Sequence, residues 1–115
     1  MKIALLQINP TVGDLTGNAR LIADALQQAG AAGAHLAITP ELALVGYLPR
    51  DLLLDPAFVA RSWERAAGLA RDAESQPPLL VGLPFLRLYL LCEHTLCPNS
   101  DDGFAITRTT LSNPI

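Results

Sequence analysis

The chain has 115 residues, half of them apolar, and a formal net charge of −3. That length holds one small domain, and so apolar a composition buries a core rather than staying disordered. The eight Lys and Arg residues stand singly along an acidic chain and form no cluster suited to nucleic acid or an anionic membrane.

The opening "MKIALLQINP" is apolar but interrupted by Gln7 and Asn9. It is too short for a signal peptide, and no small-residue cleavage site follows it. The most apolar later segment, residues 79–92, carries Arg87 and is too short to span a bilayer. Cys92 and Cys97 make no disulfide framework. The expectation is a soluble, cytoplasmic protein.

Lys2 to Ile8 reads as a buried strand, because Ile3, Ala4, Leu5, Leu6 and Ile8 form a nearly continuous apolar run. Pro10, Gly13 and Asp14 mark a loop, with Asp14 as a turn or capping residue. A helix is predicted from Thr16 or Asn18, either of which suits a cap, to about Gly30. Leu21, Ile22, Ala25, Leu26 and Ala29 make its apolar stripe. His35 to Thr39 is a second short strand, stopped by Pro40, and the intervening helix is long enough to link parallel neighbours.

Asp55 and Pro56 open a second helix, as cap and first helical residue. Phe58, Val59, Trp63, Ala66, Ala67 and Ala70 form its expected buried face, and Gln76-Pro77-Pro78 ends it. "LLVGLPF", residues 79–85, supplies a third strand. The order β-α-β-α-β puts Glu41 just past the carboxyl end of the second strand, the edge where open α/β sheets bind ligands. Beyond it, Leu86 to Leu91 is strand-like, and Asn99 to Ile115 is poorly specified.

A lone carboxylate between Pro40 and an apolar run is expected to be partly desolvated, which would raise its pKa towards the range of a general base. The alternative is a Glu41 that caps the next turn or pairs with Arg50. "KIALLQINPTVGDLTGN", "TPELALVGY", "LPRDLLLDPAF" and "LLVGLPF" together resemble the nitrilase, or carbon–nitrogen hydrolase, superfamily. Within it they look most like the N-terminal glutaminase domain of glutamine-dependent NAD synthetases. The resemblance covers residues 1 to about 85 and, faintly, Leu88-Tyr89.

The resemblance implies an α-β-β-α sandwich that hydrolyses an amide with a Glu-Lys-Cys triad. Glu41 matches the glutamate that takes the proton of the cysteine thiol. The thiolate then forms a thioester that water hydrolyses, and the lysine stabilises the oxyanion. Tyr47 matches the tyrosine that closes the Pro-Glu-Leu box and is expected to line the site or the start of an ammonia route. The implied substrate is glutamine. No cofactor is implied for this domain, while ATP and Mg belong to the family's synthetase domain, which this sequence lacks.

The sequence departs from the pattern in its other two triad members. Lys2 is the only lysine and opens the first strand, whereas the family's lysine lies in a later Lys-x-x-Leu-Pro-Asn-type motif. Cys92 and Cys97 come too early for the family's cysteine. Thr39 and Arg50 replace a bulky apolar residue and an acid. Losing a member of a covalent triad costs several orders of magnitude in rate. The expectation is therefore a truncated or frame-disrupted N-terminal piece, residues 1–85, with a divergent tail at 86–115 and no activity alone. Alternatives are a fragment of another nitrilase-type amidase and a non-catalytic α/β module whose uncovered apolar surface binds a partner or a second copy.

Other candidates are weaker. Cys92, His94 and Cys97 lack the second ligand pair of a zinc site, so no metal is expected. His35 reads as a packed or exposed strand residue. Trp63 reads as core or dimer surface, and no phosphate loop follows Gly13 and Gly17.

Overall fold

The computed structural model describes residues 1–84 and 104–107. Strand β1 (Ile3–Leu5) pairs in parallel with β2 (Leu36–Ile38), setting Ile3 beside Leu36, Ala4 beside Ala37 and Leu5 beside Ile38. Strand β3 (Leu79–Gly82) pairs in parallel with β2, and β4 (Phe104–Thr107) pairs antiparallel with β3. The spatial order β1-β2-β3-β4 is also the chain order.

Helix α1 (Leu15–Ala31) starts where the Asp14 carboxylate accepts the Gly17 N–H at 2.9 Å. It closes with paired hydrogen bonds, Gly33 N–H to the Gly30 carbonyl and Ala34 N–H to the Ala29 carbonyl. Helix α2 (Pro56–Asp72) starts as expected: Asp55 caps it through the Ala57 N–H at 2.9 Å, and Pro56 takes the first position. A strand-helix-strand unit with a right-handed crossover puts its helix on a fixed side, so two such units in series put both helices on one face. Ile22, Leu26, Ala66 and Leu69 accordingly share one core cluster with Ala37, Leu79 and Val81 of the sheet. Trp63 is half-buried against this core and donates its indole N–H to the Pro84 carbonyl at 2.7 Å.

Three sequence expectations are corrected. β1 is three residues long rather than seven, and Ile3 and Leu5 are 46% and 68% exposed. A parallel strand is buried on both sides only when both sheet faces are covered, and here the helices take one. The cap of α1 is Asp14, not Thr16 or Asn18, because its carboxylate reaches the third N–H after it. A short 3-10 helix, Arg50–Leu54, which the sequence expectations do not include, leads into α2. Residues 104–107, read as poorly specified, form β4. The strand-like piece at 86–91 lies outside the described residues.

The sheet face opposite the helices carries Ile3, Leu5, Leu36, Ile38 and Leu80 by register and alternation, and none of the five belongs to the core cluster. Among the described residues no helix is long and apolar enough to cross a membrane.

Candidate active site

At the carboxyl end of β2 the chain stays tied to β3. The Thr39 N–H donates to the Leu80 carbonyl at 3.0 Å, and the Thr39 hydroxyl donates to the same oxygen at 3.3 Å. Pro40 then turns the chain. The Ala43 N–H bonds back to the Pro40 carbonyl, and the Val45 and Gly46 N–H groups both bond to the Leu42 carbonyl. Leu42 holds a left-handed backbone with φ of 48°, which costs a residue with a Cβ about 1–2 kcal/mol. Burial offsets that cost, since Ala43, Leu44 and Val45 are each 0% exposed.

The turn is therefore fixed from beneath, and Glu41 and Tyr47 stand at its two ends. Both side chains are exposed, Tyr47 at 58%. The sequence expectation of a partly desolvated Glu41 is corrected here: the apolar residues that follow it turn inward, while the carboxylate faces out. It makes no ion pair with Arg50 or with any other described cation, so the alternative of a structural pair is not realised. The Tyr47–Leu48 peptide bond is cis.

Lys2 lies at the far end of the sheet from Glu41. Its carbonyl accepts the His35 N–H, ahead of β2, and its ammonium donates to the Ala32 carbonyl at 2.6 Å. His35 is exposed and accepts the Lys2 backbone N–H through Nδ1 at 3.0 Å. In a parallel pair, the start of one strand and the end of the next are at opposite edges, so Lys2 cannot meet Glu41.

A groove of about 490 Å³ lies between the start of α1 and the outer side of α2, lined by Gly13, Asp14, Thr16, Arg61, Arg65 and Arg71 among others. Neither Glu41 nor Tyr47 reaches it. Arg65 there donates to the Thr16 hydroxyl at 2.9 Å, and the Arg61 guanidinium stacks over the Phe58 ring at 5.9 Å. No three potential metal ligands gather among the described residues, and Cys92, His94 and Cys97 lie outside them.

A polar residue that sequence reading misassigned lies beneath the turn: Asn18, only 1% exposed. Its signal was its register, for Asn18, Ile22, Leu26 and Ala29 follow one helical stripe and all four are buried.

The carbon-nitrogen hydrolase family model matches residues 2–85. The chain belongs to the carbon-nitrogen hydrolase family. It is 50% identical over 80 residues to a glutamine-dependent NAD(+) synthetase of Synechocystis sp., covering 70% of this chain and 14% of that one. A solved glutamine-dependent NAD(+) synthetase from Cytophaga hutchinsonii superposes with a TM-score of 0.68 at 27% identity, covering 73% of this chain and 14% of that one. A solved variant of the amidase from Nesterenkonia sp. AN1, which shows Michael addition of acrylamide at its active-site cysteine, superposes with a TM-score of 0.62 at 34% identity. It covers 74% of this chain and 34% of the amidase. The chain thus spans about one seventh of the length of the synthetases it matches. Its mostly parallel sheet with helices on one face is a partial nitrilase-type fold.

Proposed function

We propose that residues 1–85 are the N-terminal portion of a glutaminase unit that supplies ammonia for cytoplasmic NAD synthesis, with 86–115 a divergent tail. One observation carries this reading: in a carbon-nitrogen hydrolase chain, Glu41 stands on an anchored turn past the carboxyl ends of β1, β2 and β3, the binding edge of an α/β sheet. Glu41 would take the proton of a cysteine thiol, and the thiolate would attack the amide carbon of glutamine. Ammonia leaves as the thioester forms, and water then releases glutamate. Tyr47, exposed at the other end of the turn, would line the entry for the amide.

This polypeptide supplies the base but not the rest of the triad, since its one lysine is at the opposite edge of the sheet. The purified chain incubated with glutamine is expected to release ammonia no faster than its E41Q variant. Glutamine-dependent release that E41Q abolishes would overturn the reading of an incomplete triad.

A second reading, a partner-binding α/β module, draws on the sheet face that carries Ile3 and Leu5. An uncovered apolar sheet face favours association. Under this reading the chain forms a discrete dimer by light scattering, and Leu5→Lys converts it to monomer at unchanged far-ultraviolet dichroism. A wild-type chain already monomeric at 100 μM or so would rule it out.

A further inference from the structure

Asn18 lies in the second turn of α1 with both N–H donors and the carbonyl oxygen of its amide engaged. Its Oδ1 accepts the Thr11 N–H at 2.8 Å, and its Nδ2 donates to the Thr11 carbonyl at 2.7 Å and to the Leu44 carbonyl at 3.0 Å. One buried side chain thus joins three stretches of backbone: α1, the loop that follows β1, and the turn that carries Glu41. Beside it, the Gly13 N–H donates to the Val45 carbonyl at 2.9 Å. A Cβ built on Gly46 would lie 2.5 Å from the Val12 Cα, so loop and turn are in direct backbone contact.

We propose that Asn18 is the positioning residue that sets where Glu41 stands, which rests on reading Glu41 as the base. The chain around Glu41 is held on both sides, and the nearest ties are these. Upstream, Thr39 is bonded to β3; downstream, the Leu44 carbonyl is bonded to Asn18. Between those anchors lie Pro40, Glu41, Leu42 and Ala43, and the last of these is fully buried. Glu41 makes no bond of its own among the described residues, so its place there is inherited from these anchors, and of the two only the Asn18 bond ties the turn to a helix.

The chemistry of the side chain is specific. Only a primary amide offers two donors and an acceptor from one planar group. An aspartate at this position keeps the acceptor but turns a carboxylate oxygen towards two carbonyls. A leucine fills the space and leaves the Leu44 and Thr11 groups unpaired, which is costly in a dry setting. The same residue at the helix cap, where the sequence alone puts it, could do neither job.

The test uses the complete 115-residue chain and needs no catalysis, so it stands apart from the assignment of Glu41. By NMR, the Asn18 side-chain NH2 is expected to show slow exchange and scalar couplings across its hydrogen bonds to the Leu44 and Thr11 carbonyls. In Asn18→Asp and Asn18→Leu, the Thr11, Gly13 and Gly46 amides are expected to exchange about tenfold faster or more, while those of Leu26 and Ala37 hold their rates. The Glu41 carboxyl and Tyr47 ring resonances shift with them. Equal acceleration of the Leu26 and Ala37 amides would make Asn18 a general core residue and overturn the proposal. So would unmoved Glu41 resonances. If a variant fails to fold, the couplings in the unaltered chain decide alone, and their absence overturns the proposal.

Discussion

Grafting residues 1–85 in place of the matching stretch of the Synechocystis synthetase is expected to preserve glutamine-dependent NAD formation, and Glu41→Gln in that graft to lower it by about 10²–10⁴-fold. The substitution is nearly isosteric and falls on an exposed side chain without partners among the described residues. Its cost to folding should therefore stay within about 0.5 kcal/mol. What it removes is the basic oxygen. A neutral amide cannot take a thiol proton, and the protonated thiol is a poor nucleophile. The measurement is initial NAD formation with glutamine and, separately, with ammonium salt. Loss with glutamine but not with ammonium places the defect in ammonia release. Equal loss with both would show that Glu41 has only a structural part.

Gly46→Ala is expected to destabilise the chain by about 2–4 kcal/mol, combining a left-handed backbone with an overpacked contact. Gly46 has φ of 86°, and the added Cβ would meet the Val12 Cα at 2.5 Å, the Val12 nitrogen at 2.7 Å and the Thr11 carbonyl oxygen at 2.8 Å. All three are backbone atoms of a loop held by Asn18 and by the Gly13–Val45 hydrogen bond, so no side-chain rotation relieves the clash. Gly13→Ala is the control. Gly13 has a similar φ of 83°, but its added Cβ would lie at 3.4 Å from the Leu52 Cδ1, the end of a side chain that can give way. Urea denaturation of the two variants then separates conformational cost from contact cost. Gly46→Ala is expected to exceed Gly13→Ala by about 1–3 kcal/mol. Equal losses would mean that the loop and the turn do not touch as closely as the structure shows.

The architecture was legible where local signals agreed. The Ile22, Leu26 and Ala29 part of the α1 stripe, the Asp55-Pro56 start of α2 and the two parallel pairings follow from spacing, capping chemistry and crossover length, while Leu21, expected on that stripe, is 40% exposed. The position of Glu41 past the end of β2 followed from those elements and the stop at Pro40. Burial was harder to read. An apolar run such as "KIALL" has the same composition whether one side or both sides of its strand are covered, and the answer depends on elements distant in sequence. The surroundings of Glu41 were misjudged for a related reason: apolar neighbours along the chain do not desolvate a side chain that points away from them.

Asn18 shows a different limit. Asparagine is common at caps and uncommon on buried stripes, so local statistics favoured the cap. Asp14, four residues earlier, reached the Gly17 N–H first and left Asn18 inside the helix. Its three partners lie seven and 26 positions away, and no local pattern connects them. The strand at 104–107 likewise depends on its pairing with β3 rather than on its own composition.

Because strand order along the sheet repeats strand order along the chain, no segment ever has to wedge itself between two already joined. Each newly synthesised strand finds its template on the outer rim of what has formed before it, so assembly can keep pace with the ribosome and proceed from the amino terminus. For β2 and β3, the long waits that far-apart pairings impose on folding are then confined to bringing each strand across its own helix. Among the described residues the helices cover only one side of the sheet and β4 stands on its rim, where further polypeptide can be added without undoing anything already built.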